Sequence, residues 1–131
     1  MADEQALGSK RDTEFDTGLD VELDPEDAKI ITLARAARAR IGAAEGAAVR
    51  DGTGRTYAAA GVELPSLKLS ALEVAVAMAA AAGADRLEAA AVVSAVAAAE
   101  ALGDDRVAPA LDLSAGAVFL AAPDGTLVAR R

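Results

Sequence analysis

The chain has 131 residues, of which 53% are apolar and 26% are charged, so it is long enough for one domain with one core and too short for two. It contains no histidine and no cysteine, which excludes disulfides, thiol nucleophiles and the imidazole and thiolate ligands that zinc sites use most often. The net charge of −8 and the 2% of aromatic residues disfavour nucleic-acid binding, since neither a basic footprint nor a stacking surface is present.

The charge excess lies entirely at the N-terminal end. Residues 1–27 carry ten acidic and two basic side chains, whereas the rest of the chain carries eleven of each. We predict that residues 1–22 form a disordered acidic tail and that residues 23–131 form a single domain. The tail is interpreted either as a solubilising leader or as a docking segment for a basic protein partner.

Two further features bear on location. The first ten residues lack the basic start and apolar run of a signal peptide. The longest uncharged apolar stretches, 74–84 and 89–99, fall short of the roughly 18 residues that a membrane-spanning helix needs. We therefore expect a cytoplasmic protein with no membrane association.

The first predicted element is a helix. Asp24-Pro25-Glu26-Asp27 offers an N-cap aspartate, a proline at the first helical position and two acids near the positive helix end. Apolar residues then recur at helical spacing up to Ile41, and Gly42 ends the helix.

A β-hairpin follows. Residues 46–50 and 55–62 flank Asp51-Gly52-Thr53-Gly54, where the glycines suit a tight turn. A phosphate-binding loop is the rival interpretation of these glycines, but no Gly-Lys-Ser/Thr follows and the turn does not open a helix.

The next element is a second helix. Ser70-Ala71-Leu72-Glu73 has the form of a capping box, and the helix is predicted to reach Ala82 and to end at Gly83. Residues 74–82 carry no polar side chain, which predicts burial on several sides, with a sheet beneath and another subunit above.

In the C-terminal third of the sequence, the helix and strand patterns are less distinct. Residues 87–96 predict a buried strand, 97–102 favour helix and 103–105 predict a loop. Strands are predicted at 115–121 and 126–130, joined by the turn Pro123-Asp124-Gly125. The order α-β-β-α-β-(α)-β-β predicts an α/β fold with three layers, a mixed sheet flanked by helices.

Local sequence within this order resembles the cytidine deaminase family over roughly residues 26–96. Gly46-Ala47-Ala48-Val49 is similar to the family's first strand, and Asp51-Gly52 matches its hairpin turn. Gly61-Val62-Glu63 resembles the Asn-Val-Glu that holds the nucleoside ribose, and Ala71-Leu72-Glu73 stands at the place of the Cys/His-Ala-Glu that opens the second helix.

The resemblance implies a zinc site whose ligand residues are missing. Zinc deaminases hold the metal with a His or Cys at the start of that helix and two cysteines of a Pro-Cys-x-x-Cys motif. Here the corresponding positions are Ala71, Ala110 and Leu113, and hydrocarbon side chains cannot coordinate a metal. We therefore expect no zinc and no other cofactor.

Three acidic groups remain as candidates for chemistry. Glu73 matches the family's proton-shuttling glutamate, but a capping role is the favoured interpretation. Glu63 matches the ribose-binding acid, although its asparagine partner is replaced by Gly61, and a solvent-facing carboxylate is the alternative. Asp104, Asp105 and Asp112 offer oxygen ligands for a cation such as Mg²⁺, with a solvated acidic loop as the favoured interpretation.

The sequence thus favours a non-catalytic, cytidine deaminase-like binding or assembly module. A nucleoside or nucleobase sensor with a pocket lined by Glu63 and Glu73 is one alternative, and an enzyme with unconventional or residual deamination is another. The resemblance also implies a homo-oligomer, a dimer or tetramer packed through the apolar segment 74–82.

Overall fold

The computed structural model describes residues 23–131. The predicted disorder of residues 1–22, and the docking role considered for them, lie outside the described residues. Within residues 23–131, no helix is both long and apolar enough to cross a membrane.

The described chain folds into helices and strands in the order α-β-β-β-β-α-β-α-α-β-β. This confirms the predicted α/β fold. The structure adds a short hairpin between the second strand and the second helix, and it has two helices after the predicted strand 87–96. The elements are α1 (Pro25–Ile41), β1 (Gly46–Asp51), β2 (Thr56–Ala60), β3 (Val62–Leu64), β4 (Leu67–Leu69), α2 (Ala71–Ala81), β5 (Leu87–Val93), α3 (Ala98–Ala101), α4 (Asp104–Asp112), β6 (Val118–Ala121) and β7 (Leu127–Arg130).

A mixed five-stranded sheet forms the middle layer. Its strand order is β2-β1-β5-β6-β7, and β3 and β4 form a separate two-stranded hairpin. Strands β5 and β6 run parallel, and the other pairs are antiparallel. The parallel pair requires a crossover, and α3 and α4 lie within it. The predicted first and last hairpins, β1-β2 and β6-β7, are confirmed.

Each face of the sheet has its own apolar core because strand side chains alternate between faces. On β5, Ala91 and Val93 pack in one core with Ile30 of α1. Ala90 and Val92, which alternate with Ala91 and Val93 along the strand, pack in the other core with residues of α2 and α4. The small side chains of the strands therefore let helices cover both faces closely.

Helix α1 packs closest to the sheet at Gly46. A Cβ atom added to Gly46 would lie 2.8 Å from the backbone nitrogen of Arg38, and would also overlap the carbonyl oxygen of Ala34. No side chain can be accommodated at this crossing without a backbone shift. A glycine here allows α1 and β1 to touch backbone to backbone.

The predicted ends of the first helix are confirmed. The Asp24 carboxylate accepts a hydrogen bond from the Glu26 backbone at 3.4 Å, and Pro25 occupies the first helical position. Gly42 ends the helix with a φ of 64°, a left-handed conformation that favours glycine.

Several predicted boundaries are wrong, and local hydrogen bonds explain why. The strand predicted at 55–62 breaks at Gly61, so that β3 pairs with β4 instead of continuing β2. The strand predicted at 87–96 ends at Val93, because the Ser94 hydroxyl accepts a hydrogen bond from the Val96 backbone and turns the chain. The strand predicted from residue 115 begins at Val118, since the backbone of Ala115 still donates to Ala110 at the end of α4.

The loop predicted at 103–105 is wrong for two of its three residues. Asp104 and Asp105 form the first turn of α4, and Gly103 precedes it as N-cap. Acidic side chains in the first turn of a helix interact favourably with the positive end of the helix dipole. The charges that suggested a loop therefore stabilise the start of a helix.

The predicted sheet beneath the second helix is confirmed, and the predicted subunit above it stays a prediction. The side of α2 that carries Leu72, Ala75 and Ala79 is buried against the sheet. Its other side, with Ala77 and Met78, is exposed, and Met78 is 41% exposed. The helix thus presents an unusually apolar outer face.

The turn between β1 and β2 is held by the buried carboxylate of Asp51. It accepts hydrogen bonds from the Thr53 hydroxyl at 2.7 Å, the Thr53 backbone at 2.9 Å, the Arg55 backbone at 3.0 Å and the Tyr57 hydroxyl at 2.9 Å. The Thr53 hydroxyl contributes most to lowering the pKa of Asp51 to about 2, with the other three donors adding to it against the opposing effect of burial.

Replacing Asp51 by Asn should make the stability of the protein less sensitive to acid. The folded-state pKa lies below the ordinary value of 3.8, so the carboxylate stabilises the fold above about pH 4, and this contribution is lost as the pH falls towards about 2. Urea unfolding at about pH 7 and about pH 2.5 should show a stability difference between wild type and Asp51→Asn that shrinks in acid. Thr53→Ala, which removes the strongest donor, should raise the pKa of Asp51. A difference that is the same at both pH values would contradict this account.

Candidate functional site

The start of α2 carries the residues that the sequence singled out. Ala71 opens the helix, and its side chain is fully buried in the core on the α2 side of the sheet. Ala110 of α4 is fully buried in the same core, and Leu113 packs against it. The positions at which the resemblance implies zinc ligands are therefore occupied by packed hydrocarbon.

The predicted capping box is confirmed. Glu73 is exposed on the first turn of α2, and its carboxylate accepts a hydrogen bond from the Ser70 backbone at 2.7 Å. In return the Ser70 hydroxyl accepts from the Glu73 backbone at 3.1 Å. Both groups satisfy backbone donors that the helix itself leaves free.

This geometry predicts how Glu73 responds to substitution. Glu73→Ala should lower the free energy of unfolding by about 1 kcal/mol, whereas Glu73→Gln, which keeps an acceptor oxygen, should cost only a few tenths. Urea unfolding of the two variants beside Ser70→Ala measures the difference. Equal losses of unfolding free energy in Glu73→Gln and Glu73→Ala would show that Glu73 does not stabilise the protein through the capping hydrogen bond.

A cleft of about 610 Å³ lies beside the start of α2. It is bounded by the end of α1, the entry to β1, the turn into β3, the segment after β5 and the first turn of α4. This volume is within the range typical of small-molecule sites. Its polar lining consists of Arg38, Glu45, Glu63, Ser70, Ser94 and Arg106.

Two of these side chains form an ion pair across the cleft wall. Arg106, from the first turn of α4, contacts the carboxylate of Glu45, which precedes β1. Their side chains are 34% and 16% exposed, so the pair is partly shielded from water. It connects the helix after β5 to the entry of the first strand.

Arg38 and Ser94 complete the polar lining from the other sides. Arg38 is half-buried, and its Nε donates to the carbonyl oxygen of Ala44 at 3.3 Å. Ser94 is 3% exposed at the end of β5, and its hydroxyl oxygen accepts from the Val96 backbone at 3.2 Å. Both side chains are thus positioned by bonds to nearby backbone.

The structure brings only part of the predicted site together. Glu63 lies on the cleft wall, exposed on β3 and opposite Lys68 of β4. Glu73, Ala71, Ala110 and Leu113 are not part of that wall. The sequence did not reveal three further residues of the wall, because none of them belongs to a motif and each comes from a different part of the fold: Arg38, Glu45 and Arg106.

The aspartates considered for Mg²⁺ do not form one group. Asp104 and Asp105 begin α4 and Asp112 ends it, so that about eight residues of helix, roughly 12 Å, separate them. Asp104 also accepts a hydrogen bond from Arg131 at 2.6 Å. The alternative of a shared cation site is therefore wrong.

A slightly larger cleft of about 680 Å³ lies at the opposite end of α2, between its C-terminus and the β1-β2 turn. Its buried acid, Asp51, is fully used by the turn's own donors. We therefore take the cleft at the start of α2 as the candidate functional site.

The donor set does not fit the zinc ion that the resemblance implies. Zinc in proteins takes cysteine, histidine and carboxylate ligands. The sequence has no His or Cys, and residues 23–131 contain no group of three or more acidic side chains that could hold a metal ion. The carboxylate closest to the family position, Glu73, is engaged by the helix cap.

Comparison with known families agrees with this architecture. No curated protein matches the sequence. A family model described as cytidine deaminase-like matches residues 23–125, which is most of the chain and extends beyond the region of local resemblance on both sides. Together with the mixed five-stranded sheet and its flanking helices, this match shows that the chain belongs to the cytidine deaminase-like family.

Proposed function

We propose that this protein is a non-catalytic member of its family that acts as a binding module through the cleft at the start of α2. The observation that carries the proposal is the full burial of Ala71, whose methyl group packs in the core where the family's first zinc ligand would stand. A hydrocarbon group at that position can neither bind a metal nor be reached by solvent.

The loss of the metal removes the step on which the family reaction depends. Zinc lowers the pKa of its bound water from about 15.7 to about 7, which supplies hydroxide near neutral pH. Without it, a carboxylate alone has no activated water to deprotonate. Glu73 is further restrained because its carboxylate caps α2.

Ligand binding is supported by the shape and lining of the cleft. It is open and large enough for a small molecule, and its wall combines backbone with two arginines, two glutamates and a buried serine hydroxyl. A few polar groups converging on a concave surface are typical of ligand sites. A nucleoside or nucleobase sensor is one form of this proposal, with Glu63 as a contact.

Three measurements on the purified protein test the proposal. Elemental analysis should find no stoichiometric zinc, and an ultraviolet assay should detect no deamination of cytidine or deoxycytidine. Thermal shifts across a panel of nucleosides and their monophosphates should identify a stabilising compound. Turnover accompanied by one zinc per chain would contradict the loss of catalysis, and a panel without any shift at millimolar concentration would contradict ligand binding.

Assembly is a second candidate function, which the outer face of α2 favours. Ala77, Met78, Ala80 and Ala81 are exposed there, and no charged side chain interrupts them. Leu64 and Leu67, on the hairpin that precedes α2, are 54% and 48% exposed. An exposed apolar surface of this kind is typical of interfaces.

We propose that this face joins copies of the chain into a dimer or tetramer. Light scattering coupled to size exclusion should then give a multiple of the 13.1 kDa monomer mass. Met78→Glu should shift the mass to the monomer value, while Ile41→Glu, at an exposed apolar residue at the end of α1, serves as the matched control. A wild-type protein that is monomeric at micromolar concentration would contradict the proposal.

A further inference from the structure

We infer that the cleft at the start of α2 binds an oxyanion, the phosphate or carboxylate group of a small molecule, on the guanidinium group of Arg38. This inference rests on the proposed binding function and names the chemistry of the ligand. It depends on the charges and free donors of the cleft wall.

Among the described residues, Arg38 is the cation of the cleft that has no carboxylate partner. Its Nε is bound to the carbonyl oxygen of Ala44, and within residues 23–131 no acceptor takes the hydrogens of its two Nη groups. The side chain is half-buried, and its bond to Ala44 orients the guanidinium group. A guanidinium held in this way is suited to a planar, two-point contact with a carboxylate or phosphate.

The other charges of the wall do not neutralise Arg38. Arg106 is paired with Glu45, so these two side chains together contribute no net charge. Glu63 is exposed on the β3-β4 hairpin and faces Lys68 on the neighbouring strand. Among the described residues, the cleft therefore offers one guanidinium group, at the end of α1, that is not engaged in an ion pair.

Ser94 supplies a second donor on the same wall. Its oxygen accepts from the Val96 backbone, which leaves the hydroxyl hydrogen available for a ligand in the cleft. The residue is 3% exposed, and a buried hydroxyl that lines a cleft is more favourably satisfied when a ligand accepts its hydrogen. A guanidinium group and a hydroxyl donor on the wall of one cleft favour oxygen-rich anions over cations or apolar groups.

The test uses inorganic phosphate and acetate as probes, each titrated into the ¹⁵N-labelled protein at constant ionic strength maintained with sodium chloride. Amide shifts near Arg38, Ala44 and Ser94 should saturate with at least one probe. Tighter binding of phosphate would assign the natural group as a phosphate ester, and tighter binding of acetate would assign it as a carboxylate. Saturation by neither probe overturns the inference.

Variants separate a site at Arg38 from general charge attraction. Arg38→Gln should weaken binding about tenfold, the loss expected for one charge-assisted contact, and Arg38→Lys should recover part of it. Arg40→Gln, two residues further on the same helix and exposed, removes the same charge outside the cleft and should change nothing. Glu45→Gln should tighten binding, since it releases Arg106 from its partner. Equal weakening by Arg38→Gln and Arg40→Gln overturns the inference.

These outcomes distinguish the inference from the proposed function on which it rests. A neutral nucleoside that binds equally to wild type and Arg38→Gln would support a binding module while overturning the anion site. Urea unfolding of each variant checks that a loss of binding does not reflect a loss of fold.

Discussion

Gly46→Ala should destabilise the protein by about 3 kcal/mol or more, the largest loss expected for alanine at any glycine of the described chain. The new Cβ would lie 2.8 Å from the backbone nitrogen and 2.9 Å from the Cβ of Arg38, and closer still to the carbonyl oxygen of Ala34. These are mainly backbone atoms in the middle of α1, so relief requires the helix to move away from β1. Because α1 packs against β1, β2 and β5, this movement would disturb the core on that face of the sheet.

Thermal and urea unfolding of matched glycine variants measure the effect. Gly42→Ala is the control, because no atom lies within 4 Å of its added Cβ and only its φ of 64° opposes the substitution. That variant should lose about 1 kcal/mol. A loss of 3 kcal/mol corresponds to roughly 10–20 °C in the unfolding midpoint of a domain of this size. Similar losses in the two variants would mean that the close contact of α1 with β1 is wrong.

Arg50→Met should also destabilise the protein strongly, with an expected loss of about 2–3 kcal/mol. The guanidinium group donates to Glu88 of β5 at 2.7 Å, to Asp27 of α1 at 3.0 Å and to the carbonyl oxygen of Glu26 at 2.9 Å. Its side chain is 12% exposed. Burial alone would lower the pKa of Arg50, and the bonds to Glu88 and Asp27 outweigh burial and raise it. Methionine keeps the length of the side chain but leaves two carboxylates without this partner.

A second arginine near Glu88 provides the control for this prediction. It also approaches Arg86, but at 3.9 Å and with the Arg86 side chain 57% exposed. Arg86→Met should therefore cost less than about 0.5 kcal/mol. In a double-mutant cycle, Arg50 and Glu88 should show a coupling of about 1 kcal/mol or more, and Arg86 and Glu88 almost none. Equal coupling for the two pairs would contradict the assigned geometry.

Local signals account for the parts of the fold that were predicted correctly. The aspartate, proline and glycine around α1, and the Ser70 and Glu73 pair of α2, act within a few residues of chain, so their patterns are legible without tertiary contacts. The errors fall where one polar side chain changes the path of the chain. Ser94 ends β5 through a single side-chain hydrogen bond, and the pattern of apolar residues in the sequence does not predict such a bond.

The candidate site shows the same division. The absence of histidine and cysteine ligands follows from composition alone, and the position of Glu73 follows from its capping motif. Arg106 lies 61 residues from Glu45 in the chain, and only the folding of α1 and α4 against the strand ends brings it to one cleft with Arg38 and Glu45.

The fold class, the family resemblance and the incompatibility with a histidine- or cysteine-ligated metal could therefore be predicted from the amino-acid sequence, because residue type and short-range pattern decide these properties. Three properties required the folded chain: Ala71 and Ala110 share a packed core, α2 leaves an apolar face exposed, and an arginine with no carboxylate partner within residues 23–131 borders an open cleft. Such properties depend on which distant residues become neighbours, and that is settled only when helices pack on the two faces of the sheet.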